Sequence, residues 1–97
     1  MRPKIKRHIC KQHAAKFSLF KPNGVPASEL LKTRLQKDEF EAVRLVDMLQ
    51  LSQQQAALEM QVSRQTFANI LKSSRKKIST ALVEGNALIL NENKEEL

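Results

Sequence analysis

Two serines eleven residues apart, Ser52 and Ser63, most constrain what this chain can fold into. Each stands where a helix N-cap is expected, its hydroxyl able to accept a backbone N–H that the first helical turn leaves unpaired. Gln55 follows Ser52 at capping-box spacing. The spacing predicts a helix over 53–60, a turn at Gln61-Val62-Ser63, and a long helix from Ser63 to about Val83, ended by Gly85-Asn86. The stretch 52–78 therefore reads as a helix-turn-helix. Where its two helices touch a small residue is required, and Ala57 supplies it. Ala56, Met60, Val62, Phe67 and Ile70 complete the apolar contact. The turn departs from the usual pattern by carrying Gln61 where glycine would ease a positive φ.

Helical periodicity sorts the long helix into two faces. Phe67, Ile70, Leu71, Ser74, Ile78 and Leu82 form the expected core stripe, with Gln65, Asn69, Lys72 and Lys76 opposite. Gln and Asn can pair bidentately with adenine, and Thr can meet a thymine methyl. Gln65, Thr66 and Asn69 are thus the candidate base readers. Arg64, Lys72, Ser73, Arg75, Lys76 and Lys77 suit phosphate, as do Ser52, Gln53 and Ser63 at helix N-termini.

The rest of the chain supports this unit. Residues 1–19 read as a basic arm, with a weak strand-like alternation around Ile5 and Ile9. The domain proper is expected over 20–90, with 91–97 as an acidic, frayed tail. The run from Phe20 through Pro22-Asn23-Gly24 to Pro26 is a turn. A helical turn then starts at Ser28 with Leu30 and Leu31 inward, and the residues from Lys32 to Leu35 fit helix or short strand equally. Asp38, with Glu41 three residues on, is the expected cap of the first full helix. Phe40, Val43, Leu45, Val46 and Leu49 make its apolar stripe, with Arg44 and Asp47 outward. The run 87–90 (Ala-Leu-Ile-Leu) has strand length, suited to pairing with an N-terminal strand, packing on the core, or pairing between chains. The fold class expected is mainly α, a three-helix helix-turn-helix domain, sigma-70 region 4-like or winged-helix-like, with one or two short peripheral strands.

Charge points to the partner. Of the net charge of +7, residues 1–37 hold ten Lys/Arg against the single acid Glu29, and residues 63–80 hold five Lys/Arg and no acid. Segments 38–62 and 81–97 are acidic. Alternation of this kind builds a cationic face, for which a polyanion is the natural partner. Four Phe and no Trp or Tyr argue against stacking on single-stranded bases. No apolar run approaches the roughly 18 residues of a membrane span, and one cysteine with no secretory h-region fits the cytoplasm. His8, Cys10 and His13 are the one metal-like cluster, but a structural zinc site needs a fourth ligand and the chain has no other His or Cys. No glycine-rich phosphate loop, carboxylate pair or nucleophile–base set stands out, so neither an enzyme nor a cofactor is expected.

Several ordered blocks resemble a known group: Phe20-Lys21-Pro22-Asn23-Gly24-Val25-Pro26, Asp38-Glu39-Phe40-Glu41-Ala42-Val43-Arg44-Leu45-Val46-Asp47, Leu51-Ser52-Gln53, Val62-Ser63-Arg64-Gln65-Thr66-Phe67, and Ala81-Leu82-Val83-Glu84-Gly85-Asn86-Ala87-Leu88. They are similar to the small prokaryotic proteins of the domain of unknown function 134 family, over about residues 7–90. The resemblance implies DNA binding through a helix-turn-helix similar to region 4 of sigma-70-type factors, with Arg64, Gln65, Thr66 and Asn69 in the recognition helix. Gln61, where the family has glycine, and the absence of a Gly pair after the last strand are departures.

The reading is a transcriptional regulator of the prokaryotic cytoplasm that inserts helix 63–83 into the major groove of double-stranded DNA. The alternatives are a protein-interaction module contacting RNA polymerase through the acidic helix, and RNA binding. Whether the chain forms a homodimer is open at this stage.

Overall fold

A computed structural model describes residues 15–90. The 1–14 part of the basic arm, with His8, Cys10 and His13, and the tail 91–97 lie outside the described residues. Three helices and three short strands follow in the order β1 (Leu19–Phe20), β2 (Lys32–Arg34), α1 (Lys37–Val43), α2 (Gln53–Met60), α3 (Arg64–Glu84) and β3 (Ala87–Ile89), with a 3-10 turn at Ala27–Glu29. The fold is mainly helical, with three strands where one or two were expected.

Both serine caps form. The Gln55 N–H donates to Ser52 Oγ at 3.1 Å, and the Ser52 N–H donates back to Gln55 Oε1 at 3.2 Å. The Thr66 N–H donates to Ser63 Oγ at 3.0 Å. Between α2 and α3 the chain turns through Gln61 in the left-handed region, φ 58°, ψ 44°. Gln61 pays a left-handed cost of about 1–2 kcal/mol. Glycine would remove that but lose more entropy on folding, by roughly 0.5–1 kcal/mol. Gln61→Gly is therefore expected to stabilise the domain by about 0.5 kcal/mol, and Gln61→Val to destabilise it, both checked by thermal unfolding. At its other end α3 stops as predicted, on Gly85 with φ 74°.

Phe67, Met60 and Leu71 are the largest apolar side chains fully enclosed, packed with Ala42, Leu45, Ala56, Ala57 and Ile70 in one cluster. Ala57 lies in this contact, as the helix-turn-helix spacing requires, and Val62 closes its edge. The strands lie in the order β1-β3-β2, with β1 antiparallel and β2 parallel to β3.

The structure corrects the sequence reading at several places. α1 is capped at Gln36, not Asp38: the Gln36 N–H donates to Glu39 Oε1 at 2.8 Å. Pairing of the Leu35 N–H with the Ile89 carbonyl at 2.9 Å ends β2 there, and the helix starts directly after it. From Arg44 to Met48 the helix widens to π geometry, the Leu49 N–H reaching back five residues to the Arg44 carbonyl at 2.9 Å. The extra residue in that turn rotates the face, so Leu45 stays buried while Leu49 turns out. Gln50 reverses the chain at φ 65°, and its side chain donates to the Asp47 carbonyl at 2.8 Å. Arg44 is largely covered rather than outward, held bidentately by Glu41 at 2.9 Å. Leu31 is exposed, because the backbone at Leu30 is extended and successive side chains point to opposite sides. Leu82 is exposed because α3 outlasts the core it packs on. Finally, β3 is the central strand, so the 87–90 run has no free edge for pairing between chains. Leu19, placed in the arm by sequence, belongs to the sheet.

Candidate nucleic-acid interface

α3 divides as its periodicity requires. Phe67, Ile70, Leu71, Ser74 and Ala81 are buried. Gln65, Asn69, Lys72 and Lys76 are exposed and fall within about a sixth of the helix circumference at 100° per residue. Gln65 Nε2 donates to Asn69 Oδ1 at 3.3 Å, so the two amides form an i,i+4 pair on that arc. Thr66 is half-buried, and its Oγ1 accepts from the Ser63 hydroxyl at 2.9 Å. Its methyl takes no part in that bond and is the group suited to a thymine methyl.

The cations expected to meet phosphate separate into two groups. Among the described residues, Arg64, Lys72 and Lys76 have no carboxylate within ion-pair distance. Arg75, Lys77 and Ser73 are engaged inside the protein. Arg75 grips Asp47 through two bonds, Nη2 to Oδ1 at 2.7 Å and Nε to Oδ2 at 3.2 Å, and this hydrogen bonding raises its pKa above the ordinary guanidinium value. Lys77 Nζ donates to Glu39 Oε1 at 2.8 Å and to the Arg34 carbonyl at 2.9 Å. Ser73 donates to Glu39 Oε2 at 2.6 Å. Lys77 and Ser73 therefore brace α3 and are withdrawn from the phosphate set that sequence suggested. Ser52, Gln53 and Ser63 sit at the N-termini of α2 and α3, where the Ser52 and Ser63 hydroxyls serve as caps.

Sequence reasoning missed Glu39, which organises the back of this helix. It is buried, its carboxylate accepts from Gln36, Ser73 and Lys77, and its carbonyl accepts from the Ser74 hydroxyl at 2.9 Å. The Gln-x-x-Glu spacing from Gln36 was the available signal. Burial pushes the Glu39 pKa up, but the hydrogen bonds from Lys77, Ser73 and the Gln36 N–H outweigh it, and the carboxyl lies below its ordinary value. A carboxylate depressed on folding contributes stability above its unfolded pKa, lost as pH falls through the folded value. Acid titration of unfolding should show stability falling below about pH 4.3, with a shallower fall in Glu39→Gln.

No helix among the described residues is long and apolar enough to cross a membrane, and no group of three metal-capable side chains occurs among them.

The sequence matches the family described as "Protein of unknown function DUF134" over residues 1–96. The chain belongs to the DUF134 family. Curated relatives carry the name UPF0251 protein. One from Shewanella halifaxensis is 52% identical over 89 residues, covering 92% of this chain and 91% of its own. One from Vibrio parahaemolyticus is 52% identical over 88 residues, covering 91% and 90%. One from Aeromonas salmonicida is 53% identical over 89 residues, covering 92% and 85%. No solved structure matches. The family description assigns no activity.

Proposed function

We propose that this DUF134 chain binds double-stranded DNA in a sequence-dependent way and regulates transcription in the cytoplasm, with the exposed arc of α3 in the major groove. One observation carries the reading: Gln65, Asn69, Lys72 and Lys76 share an exposed face on a helix that has no acid before Glu84 and whose other face is core. A helix of about 10–12 Å diameter fits a groove about 12 Å wide. Gln65 and Asn69 read base edges, the Thr66 methyl assists, and Lys72, Lys76 and Arg64 contact phosphate. The N-termini of α2 and α3 add backbone N–H groups toward phosphate. Arg75 joins only when it leaves Asp47. α2 braces α3 through Ala57 and the Gln61 turn, which fixes the angle at which the arc is presented.

The test is selection of bound sequences from a random duplex pool, followed by titration of the winning duplex. Asn69→Ala or Gln65→Ala is expected to erase preference at one or two base pairs, about 1–3 kcal/mol of discrimination each, with little change in binding to unrelated duplex. Selection that returns no common sequence sinks the reader assignment. Absence of duplex binding at low salt sinks the whole reading.

A further inference from the structure

We propose that the chain forms a two-fold homodimer through the β1 edge and the groove between β1 and the C-terminal part of α3. The groove has a volume of about 450 Å³, with Phe20 and Pro22 on one wall, Leu82 on the other, and Ile78, Ala81 and Leu88 between. Its walls are unusually open for apolar side chains: Phe20 is 60% exposed and Leu82 80%. Their neighbours Phe17, Leu19 and Val83 are 70%, 37% and 79% exposed. Phe20 and Leu82 line the groove, whereas Leu19, the neighbouring residue of the strand, faces the other side of the sheet, so apolar side chains stand exposed on both faces of the β1 edge.

Three observations select a second copy as the occupant. First, β1 is the outer strand next to β3, and its far edge pairs with no strand among the described residues. Antiparallel pairing of that edge with itself is an isologous contact, which closes at two copies. It would make a six-stranded sheet in the order β2-β3-β1-β1-β3-β2. Second, Phe17, two residues before β1, is an exposed aromatic that a partner copy could cover. Third, charge permits it. From Ile78 to Leu90 the chain has no Lys or Arg and one acid, Glu84. Among the described residues, Lys21 is the one charged residue lining the groove, and its Nζ donates to the Val25 carbonyl at 2.7 Å. Association through the cationic arc of α3 would instead set like charges together. The surface is distinct from that arc: Gln65 and Leu82 are 17 residues apart, about 25 Å along the helix. Both faces can be engaged together.

Sedimentation equilibrium of the full chain without DNA tests this. The expected result is twice the monomer mass at tens of micromolar, falling to the monomer mass for Leu82→Glu. Leu82 is solvent-exposed, so helical circular dichroism should be unchanged in that variant; Phe17→Glu, outside the helices, provides a second variant with the same expected loss. A wild-type chain that stays monomeric up to about 100 μM overturns the proposal. So does a folded Leu82→Glu or Phe17→Glu that remains a dimer. Because mass is read without DNA, failure of the DNA-binding reading leaves this result interpretable.

Discussion

Replacing Phe67 by Ala is expected to lower the stability of the domain by about 3–5 kcal/mol, the range for deleting a large buried aromatic side chain. Phe67 is fully enclosed, and it is the one aromatic in a cluster of which Ala42, Ala56 and Ala57 supply three members. Those small residues let α1, α2 and α3 approach closely, and they leave few large side chains to fill the space between. The alanines have no longer side chains with which to fill the cavity, which places the expected cost toward the upper part of the range. A domain of this length has roughly 5–15 kcal/mol in all, so the loss is a large share of the total. Thermal unfolding should show a drop of at least about 12 °C, at roughly 4 °C or more per kcal/mol. A drop of less than about 5 °C would mean that α3 is not seated on α1 and α2 as described.

The double substitution of Lys72 and Lys76 by Ala should weaken duplex DNA binding by ~60-fold at 0.1 M salt, if each lysine displaces one counterion. The same two charges set a second observable. The slope of log affinity against log salt should fall by about 1.8, and the loss should be similar for selected and unrelated duplexes. Both lysines are exposed and make no ion pair among the described residues, so folding should be little changed. Lys77 is a useful contrast. It is tied to Glu39 and to the Arg34 carbonyl, and its substitution should act on stability more than on the salt slope. Unchanged affinity and slope in the double variant would remove the arc of α3 from the interface.

The contrast between Lys77 and Lys76 shows how far the candidate site was legible in the sequence. They are adjacent and equally cationic, but at 100° per residue Lys76 lies opposite Phe67 while Lys77, seven residues after Ile70, flanks the apolar stripe and is half-buried. What makes the flanking lysine a brace is the carboxylate of Glu39, 38 residues distant in the chain. Arg75 is likewise claimed by Asp47, 28 residues away. Ion pairs of that separation depend on how α1 is laid against α3, which no local pattern encodes. By contrast, the Gln65–Asn69 arc and the buried Phe67–Ile70–Leu71 stripe are matters of helical period within one element, and they were readable.

For the elements the division is similar. Ser52 and Ser63 determined the starts of α2 and α3, Gly85 the end of α3, and Ala57 the close contact, because caps and small contact residues act within a few positions. The tertiary structure decided where α1 begins, since the end of β2 on β3 sets Gln36 as the cap. It also decided the π turn that rotates Leu49 outward, and the central place of β3 between two strands remote from it in sequence. Sequence by itself determined the helix-turn-helix and its exposed arc, through rules of short range. Which cations remain free on that arc, and which apolar residues remain uncovered beyond it, were decided by the packing of distant segments, whose contacts have no local signature.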